Sequence, residues 1–122
     1  MANGSRSLLL IEDEILLCWV VEDVLRAEGY DVQIATTGNE GLAAIESRNF
    51  DLLVTNIRLS DGPDGWALAC RARELYPSMG VLFVSGDSAS EHKDRGVPGS
   101  LMISKPVEPA DIQRAAARLL AS

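Results

Sequence analysis

The sequence predicts an α/β fold, a doubly wound parallel sheet of five strands with helices on both faces. Three observations carry this. Short apolar runs alternate with helical segments along the whole 122-residue chain. The first, third and fourth runs are nearly free of polar residues, as strands buried on both faces must be. The chemistry-bearing residues stand at the C-terminal ends of the runs, and crossover connections collect such ends at one edge of the sheet.

Residues 1–7 lack the apolar core of a signal peptide and read as a flexible tail, which leaves 8–122 as one domain. The first strand is Leu8–Ile11, ending on the acidic pair Glu12-Asp13. A helix over Glu14–Glu28 follows and stops at Gly29. Helical spacing assigns its Leu17, Val20, Val21, Val24 and Leu25 to a buried stripe, leaving Ile15, Leu16, Cys18 and Trp19 at or near the surface. The second strand, Asp31–Ala35, leads into a helix over Gly38–Ser47. The third, Leu52–Asn56, ends on an amide and precedes a helix over Gly65–Tyr76, which Pro77 stops. The fourth strand is Gly80–Ser85. The segment Asp87–Gly99 offers one Ala and one Val for burial. A helix there gains little packing energy, so it is expected to be short or mobile. The fifth strand, Ser100–Ile103, runs into Ser104-Lys105-Pro106, and a last helix covers Glu108–Ala121.

Composition narrows the function. With 47% apolar and 24% charged residues this is ordinary globular material. A net charge of −7 and the lack of any Lys/Arg run argue against a nucleic-acid surface. No apolar stretch reaches the roughly 20 residues of a membrane span. Cys18 and Cys70 have no metal-like spacing and read as reduced thiols of a cytoplasmic protein. His92, in the polar segment, reads as solvated.

At the sheet edge the pattern reads as a site. Carboxylates (Glu12, Asp13) can hold a divalent metal, while a hydroxyl (Ser85) and an ammonium (Lys105) can hold phosphoryl oxygens. The missing piece is a nucleophile, because position 56 carries Asn.

The constellation resembles the receiver domain of two-component response regulators, over essentially the whole chain from Leu8 to about Leu120. In that family an acidic pair follows the first strand, a phosphorylated Asp ends the third, a Ser or Thr ends the fourth and a Lys before Pro ends the fifth. The matching positions are Glu12 and Asp13, Asn56, Ser85, and Lys105 with Pro106. Phe83-Val84-Ser85-Gly86 and the thin fourth helix are similar to small single-domain receivers with a Phe-Ala-Thr-Gly-Tyr-like fourth strand, with Asp87 in place of the aromatic. The chain departs elsewhere too. The loop before Asp64-Gly65 is one residue longer than usual, and Ser60 stands where many receivers have Pro.

The resemblance implies a CheY-like, flavodoxin-like sheet in the order 2-1-3-4-5. It implies magnesium held by Asp13, Asn56 and the backbone carbonyl of Arg58, with Glu12 acting through water, and weakened because Asn removes a negative charge. It implies a cis Lys105-Pro106 bond, and Arg58 and Asp87 at the pocket mouth, either paired or separately solvated. The aromatic that rotates on activation is replaced by Met102, which excludes signalling by a turning ring. An amide is a poor nucleophile, so phosphorylation should be blocked at Asn56. Asn56 has two compatible origins, an engineered Asp→Asn inactivation or a natural variant.

The implied function is that of a non-enzymatic bacterial, cytoplasmic receiver acting by protein contact, without an output domain in this chain. Its partner would be a histidine kinase, a histidine phosphotransfer protein or a second copy of the chain. Ile15, Leu16, Cys18 and Trp19 are the candidate contact, with edge-of-core packing as the alternative. A phosphorylation-independent decoy is the second reading. A flavodoxin-like binder of a small ligand is the third, and is poor, since acids rather than a Gly-rich loop follow the first strand.

Overall fold

A computed structural model describes residues 5–121. Five parallel strands, β1 (Ser7–Ile11), β2 (Asp31–Ala35), β3 (Leu52–Asn56), β4 (Gly80–Ser85) and β5 (Leu101–Ser104), form one sheet in the order β2-β1-β3-β4-β5. The helices are α1 (Ile15–Ala27), α2 (Gly38–Ser47), α3 (Gly65–Leu75), α4 (His92–Arg95) and α5 (Pro109–Leu120). The expected fold class and strand order therefore hold. Ser7, assigned to the tail, instead opens β1 opposite Asp31; residues 1–4 of that tail lie outside the described residues. β5 begins and ends one residue later than expected.

Alternation along each strand divides the core into two layers. Leu9, Ile11, Leu53, Val81 and Phe83 face α2 and α3, while Leu8, Leu10, Leu52, Val54, Leu82 and Val84 face α1 and α5. β3 and β4 are buried throughout, as their apolar runs require. Helix starts are chemically marked. Thr37 Oγ1 accepts from Glu40 N at 3.0 Å, and the Glu40 carboxylate accepts from Thr36 N at 2.8 Å, a reciprocal cap at the head of α2. Asp64 caps α3 by accepting from Ala67 N at 2.9 Å.

The polar segment after β4 forms a 3₁₀ turn (Ala89–Glu91) and the single turn of α4, which is the short helix expected. Val97 anchors it in the core, 8% exposed, and His92 is not solvated. The His92 ring meets Phe83 edge-on at 5.8 Å, and Trp66 packs on Phe83 at 4.7 Å. The hydroxyl of Ser100 donates its one proton to Val97 O at 2.6 Å. The 2.9 Å contact between His92 Nε2 and Ser100 Oγ therefore has the ring donating. A histidine and a serine thus add to the packing and pinning that Val97 supplies.

His92→Ala is expected to lower the unfolding free energy by about 1–2 kcal/mol in urea titrations, from the lost ring contact and hydrogen bond. Lys93→Ala, at an exposed neighbour, should change it by less than about 0.5 kcal/mol. Equal effects would show that His92 is no anchor.

Candidate functional site

The C-terminal ends of β1, β3, β4 and β5 open onto a cleft of ≈ 440 Å³ lined by Asp13, Glu14, Asn56, Arg58, Ser85, Gly86, Asp87 and Lys105. Glu12 forms its buried floor, 3% exposed. β1 carries Glu12 into the cleft, and Glu12 N still bonds Ala35 O of the neighbouring strand. Asn56 closes β3 and is nearly buried. Gly65 is required beside it, because a Cβ there would sit 2.3 Å from Asn56 O.

The Asn56 amide bridges two partners of opposite demand. Its Oδ1 accepts from Ile57 N at 2.9 Å, and its Nδ2 donates to Glu12 Oε2 at 3.2 Å. A backbone N–H on one side and a carboxylate on the other admit only this orientation. Glu12 Oε2 also accepts from Glu14 N at 3.0 Å. Burial raises the Glu12 pKa above its ordinary 4.5; the Glu14 N–H and the Lys105 charge oppose that rise, and Asp13 and Glu14 add to it.

The other expected residues converge on the cleft with their own partners. Asp13 Oδ2 accepts from Ser60 N at 3.1 Å, tying the acidic pair to the loop after β3. Ser85 Oγ accepts from Asp87 N (3.2 Å) and Ser88 N (2.8 Å), leaving its hydroxyl proton to donate. Lys105 Nζ lies 3.9 Å from Glu12 Oε1 but donates to Glu14 Oε1 at 2.8 Å. Arg58 and Asp87 do pair across the mouth, with Nε–Oδ1 at 3.2 Å and Nη2–Oδ2 at 3.0 Å. This two-pronged contact is exposed, and such pairs contribute about 0–1 kcal/mol. The Lys105-Pro106 bond is cis. Met102 is half-buried beside Phe83 of β4 and packs against the α2/α3-side core. Sequence reasoning missed Glu14 as the partner of Lys105. Its signal was position, one residue past the acidic pair at the head of α1.

The donor set departs from the expected magnesium ligands at one position. Asn56 presents its amide nitrogen to the acids, so it is not placed as a metal ligand. Among the described residues no group of three His, Cys, Asp or Glu could hold a metal ion. Asp13, Glu12 through water and the Arg58 carbonyl are what remains of the expected ligands.

A family model for the response regulator receiver domain matches residues 8–117. The chain belongs to that family. Among solved structures, a response regulator receiver protein from Sinorhizobium medicae is 32% identical with a TM-score of 0.93, covering 99% of this chain and 98% of that one. The receiver domain of the Pseudomonas aeruginosa sensor histidine kinase PA1611, solved with magnesium coordinated in its active-site cleft, is 22% identical with a TM-score of 0.84, covering 98% of this chain and all of that one. That second likeness shows the fold alone. The transcriptional regulatory protein ZraR of Salmonella typhimurium is 29% identical over 75% of this receiver chain, which spans 20% of that protein's length.

The first helix corrects one expectation. Cys18 is 1% exposed and sits in the core with Val21 and Leu25, whereas Val20, expected inside, is 45% exposed. The buried stripe keeps Val21 and Leu25, with Leu17 and Val24 at its edge, and is turned by a fraction of one residue so that Cys18 replaces Val20, because α1 packs on both the sheet and α5. Burial, with Glu22 and Glu12 nearby, also raises the Cys18 pKa and makes the thiol unreactive. Ile15, Leu16 and Trp19 stand exposed at 53%, 71% and 58%. No described helix is long and apolar enough to cross a membrane.

Asn56→Ala strands the Ile57 N–H and deprives Glu12 of a donor, and should cost about 1–3 kcal/mol in urea unfolding. The raised Glu12 pKa sets a pH trend. The folded protein binds this proton more tightly than the unfolded chain does. The Glu12 contribution to stability therefore falls as pH rises from about 4.5 through its folded pKa and is flat above. The difference between the wild-type and Glu12→Gln stability curves should slope only in that window; a difference flat with pH would contradict the buried carboxyl.

Proposed function

We propose that this receiver works by protein contact without accepting a phosphoryl group. The observation that carries this is the Asn56 amide, fixed between Glu12 and Ile57 N at the position matching the family's phosphoacceptor. Phosphoryl transfer needs an anionic oxygen to attack phosphorus, with positive charge gathered on the equatorial oxygens. Here Ser85 and Lys105 are the groups that would hold those oxygens, but the attacking atom is missing. An amide oxygen is weakly nucleophilic, and this one already accepts a hydrogen bond.

The same amide lowers magnesium affinity. It neutralises one ligand and turns a nitrogen toward Glu12, so a bound ion would find one fewer oxygen and one fewer negative charge. The magnesium in the PA1611 receiver domain makes the ion the natural cofactor to test. Its chemistry in such a site is charge neutralisation around the phosphoryl group.

The partner is a histidine kinase or a histidine phosphotransfer protein, met through Ile15, Leu16 and Trp19 at the head of α1, next to the cleft. Exposed apolar side chains clustered on a small domain mark a contact surface. A second reading, contact between two copies of the chain, uses the same residues.

Incubated with acetyl phosphate or phosphohistidine donor and magnesium, the chain should take no acid-labile phosphate, while Asn56→Asp should. Intact mass before and after labelling excludes deamidation. Labelling of the Asn56 form would refute the reading. Without magnesium, Asn56→Asp should also be less stable than wild type by about 1–3 kcal/mol, because a carboxylate then faces Glu12 where a donor stood. For the contact surface, Trp19→Ala should cost about 2 kcal/mol or more of partner binding. Its folding stability should stay within about 1 kcal/mol. A stability loss of about 3 kcal/mol with binding unchanged would make Trp19 a core residue.

A further inference from the structure

Lys105 and Glu14 make a contact that nothing in the local structure of α1 demands. Glu14 is the N-cap residue of α1, yet its carboxylate accepts no hydrogen bond from its own helix. Its backbone is occupied, the N–H donating to Glu12 Oε2 and the carbonyl accepting from Cys18 N at 2.9 Å. The side chain instead crosses the cleft to accept from Lys105 Nζ at 2.8 Å. The nearer-buried carboxylate, Glu12, is 3.9 Å away from that ammonium, and its Oε2 is engaged by Asn56 and Glu14 N.

The arrangement follows from charge. Lys105 is largely buried, 22% exposed at its side chain, and needs a counter-ion. Asn56 is neutral and has spent both polar atoms on Glu12 and Ile57. The carboxylate within reach is Glu14, whose side chain is 66% exposed. Lysine, a flexible point charge with three rotatable donors, follows whichever anion is offered.

We infer that Glu14 is the resident counter-ion of Lys105 and competes for it with any phosphoryl-type oxyanion entering the cleft. Glu14 is a positioning residue that sets how readily the pocket takes such an anion. The inference deepens the reading of position 56 as the acceptor position, since the anion concerned is the one that would arrive there. Removing the Glu14 charge frees Lys105 for the anion without altering Asn56, Ser85 or Glu12.

Two measurements test it separately. The chain has two lysines, Lys93 and Lys105, so Lys93 serves as an internal standard for amine acylation. At one fixed pH, the ratio of Lys105 to Lys93 acylation by acetic anhydride, read by peptide mass, should rise about two- to five-fold in Glu14→Gln, the factor a partly exposed ion pair supplies. Glu22→Gln, an acid further along α1, should leave the ratio unchanged. An unchanged ratio in Glu14→Gln overturns the inference, whatever happens at position 56. The second measurement uses the Asn56 protein with inorganic phosphate. The phosphate concentration that half-protects Lys105 from acetic anhydride should fall about two- to five-fold in Glu14→Gln. Unchanged or raised half-protection, or no protection in either form, overturns the inference. Phosphorylation of Asn56→Asp decides the acceptor reading separately.

Discussion

A buried hydrogen-bond demand at the end of β3 organises the functional edge of this protein. The Ile57 N–H must be accepted and the Glu12 carboxylate must be donated to, and both groups lie where water does not reach freely. One neutral amide meets both demands. A carboxylate would meet the first and violate the second, because two acids 3 Å apart repel unless a cation stands between them. Asn56 therefore does by hydrogen bonding what a metal would do by charge. Lys105 turns to Glu14, while burial holds the Glu12 pKa up.

That edge is held from outside by the loop between β3 and α3. Ser60 O and Asp61 O accept from Gly38 N and Asn39 N at 2.9 and 2.7 Å, so the loop caps the first turn of α2. Close approach is possible because position 38 has no side chain; a Cβ there would meet Pro63 O at 2.2 Å. Gly62, at φ +122°, supplies the backbone conformation that turns the chain back toward Asp64. With Asp13 bonded to Ser60 N as well, the longer loop couples α2, the acidic pair and the start of α3 in one assembly. Loop geometry is thereby transmitted directly to the cleft.

Helix α1 serves two masters. Its inner face, Cys18, Val21 and Leu25, completes the core under β1 and α5, while Ile15, Leu16, Trp19 and Val20 remain outside. Leaving a Trp and three aliphatic side chains exposed forgoes burial worth about 25 cal/mol per Å². The helix carries them next to the cleft whose Glu14 heads the same helix. A partner bound on this face would lie within one turn of Glu14 and Lys105, so contact and pocket chemistry share a border.

Fold class and the residues that meet at the sheet edge were legible in the sequence, because apolar runs alternating with helical spacing admit few topologies and a parallel sheet gathers its strand ends automatically. Strand order was legible only through the resemblance to receivers. The shortness of α4 was equally legible, since Asp87–Gly99 has little to bury. Pairings within the site were not. Whether Lys105 chooses Glu12, Glu14 or position 56 depends on ångström differences between side chains 91 residues apart. The role of His92 was hidden because its partners, Phe83 and Ser100, come from other elements. The inner face of α1 was misassigned by one residue, exchanging Cys18 with Val20. Periodicity gives the existence of an apolar face, while its angle is set by what the helix packs against. Local pattern determines elements and their order; which polar groups pair, and which apolar ones stay outside, is decided only when distant elements compete for the same space.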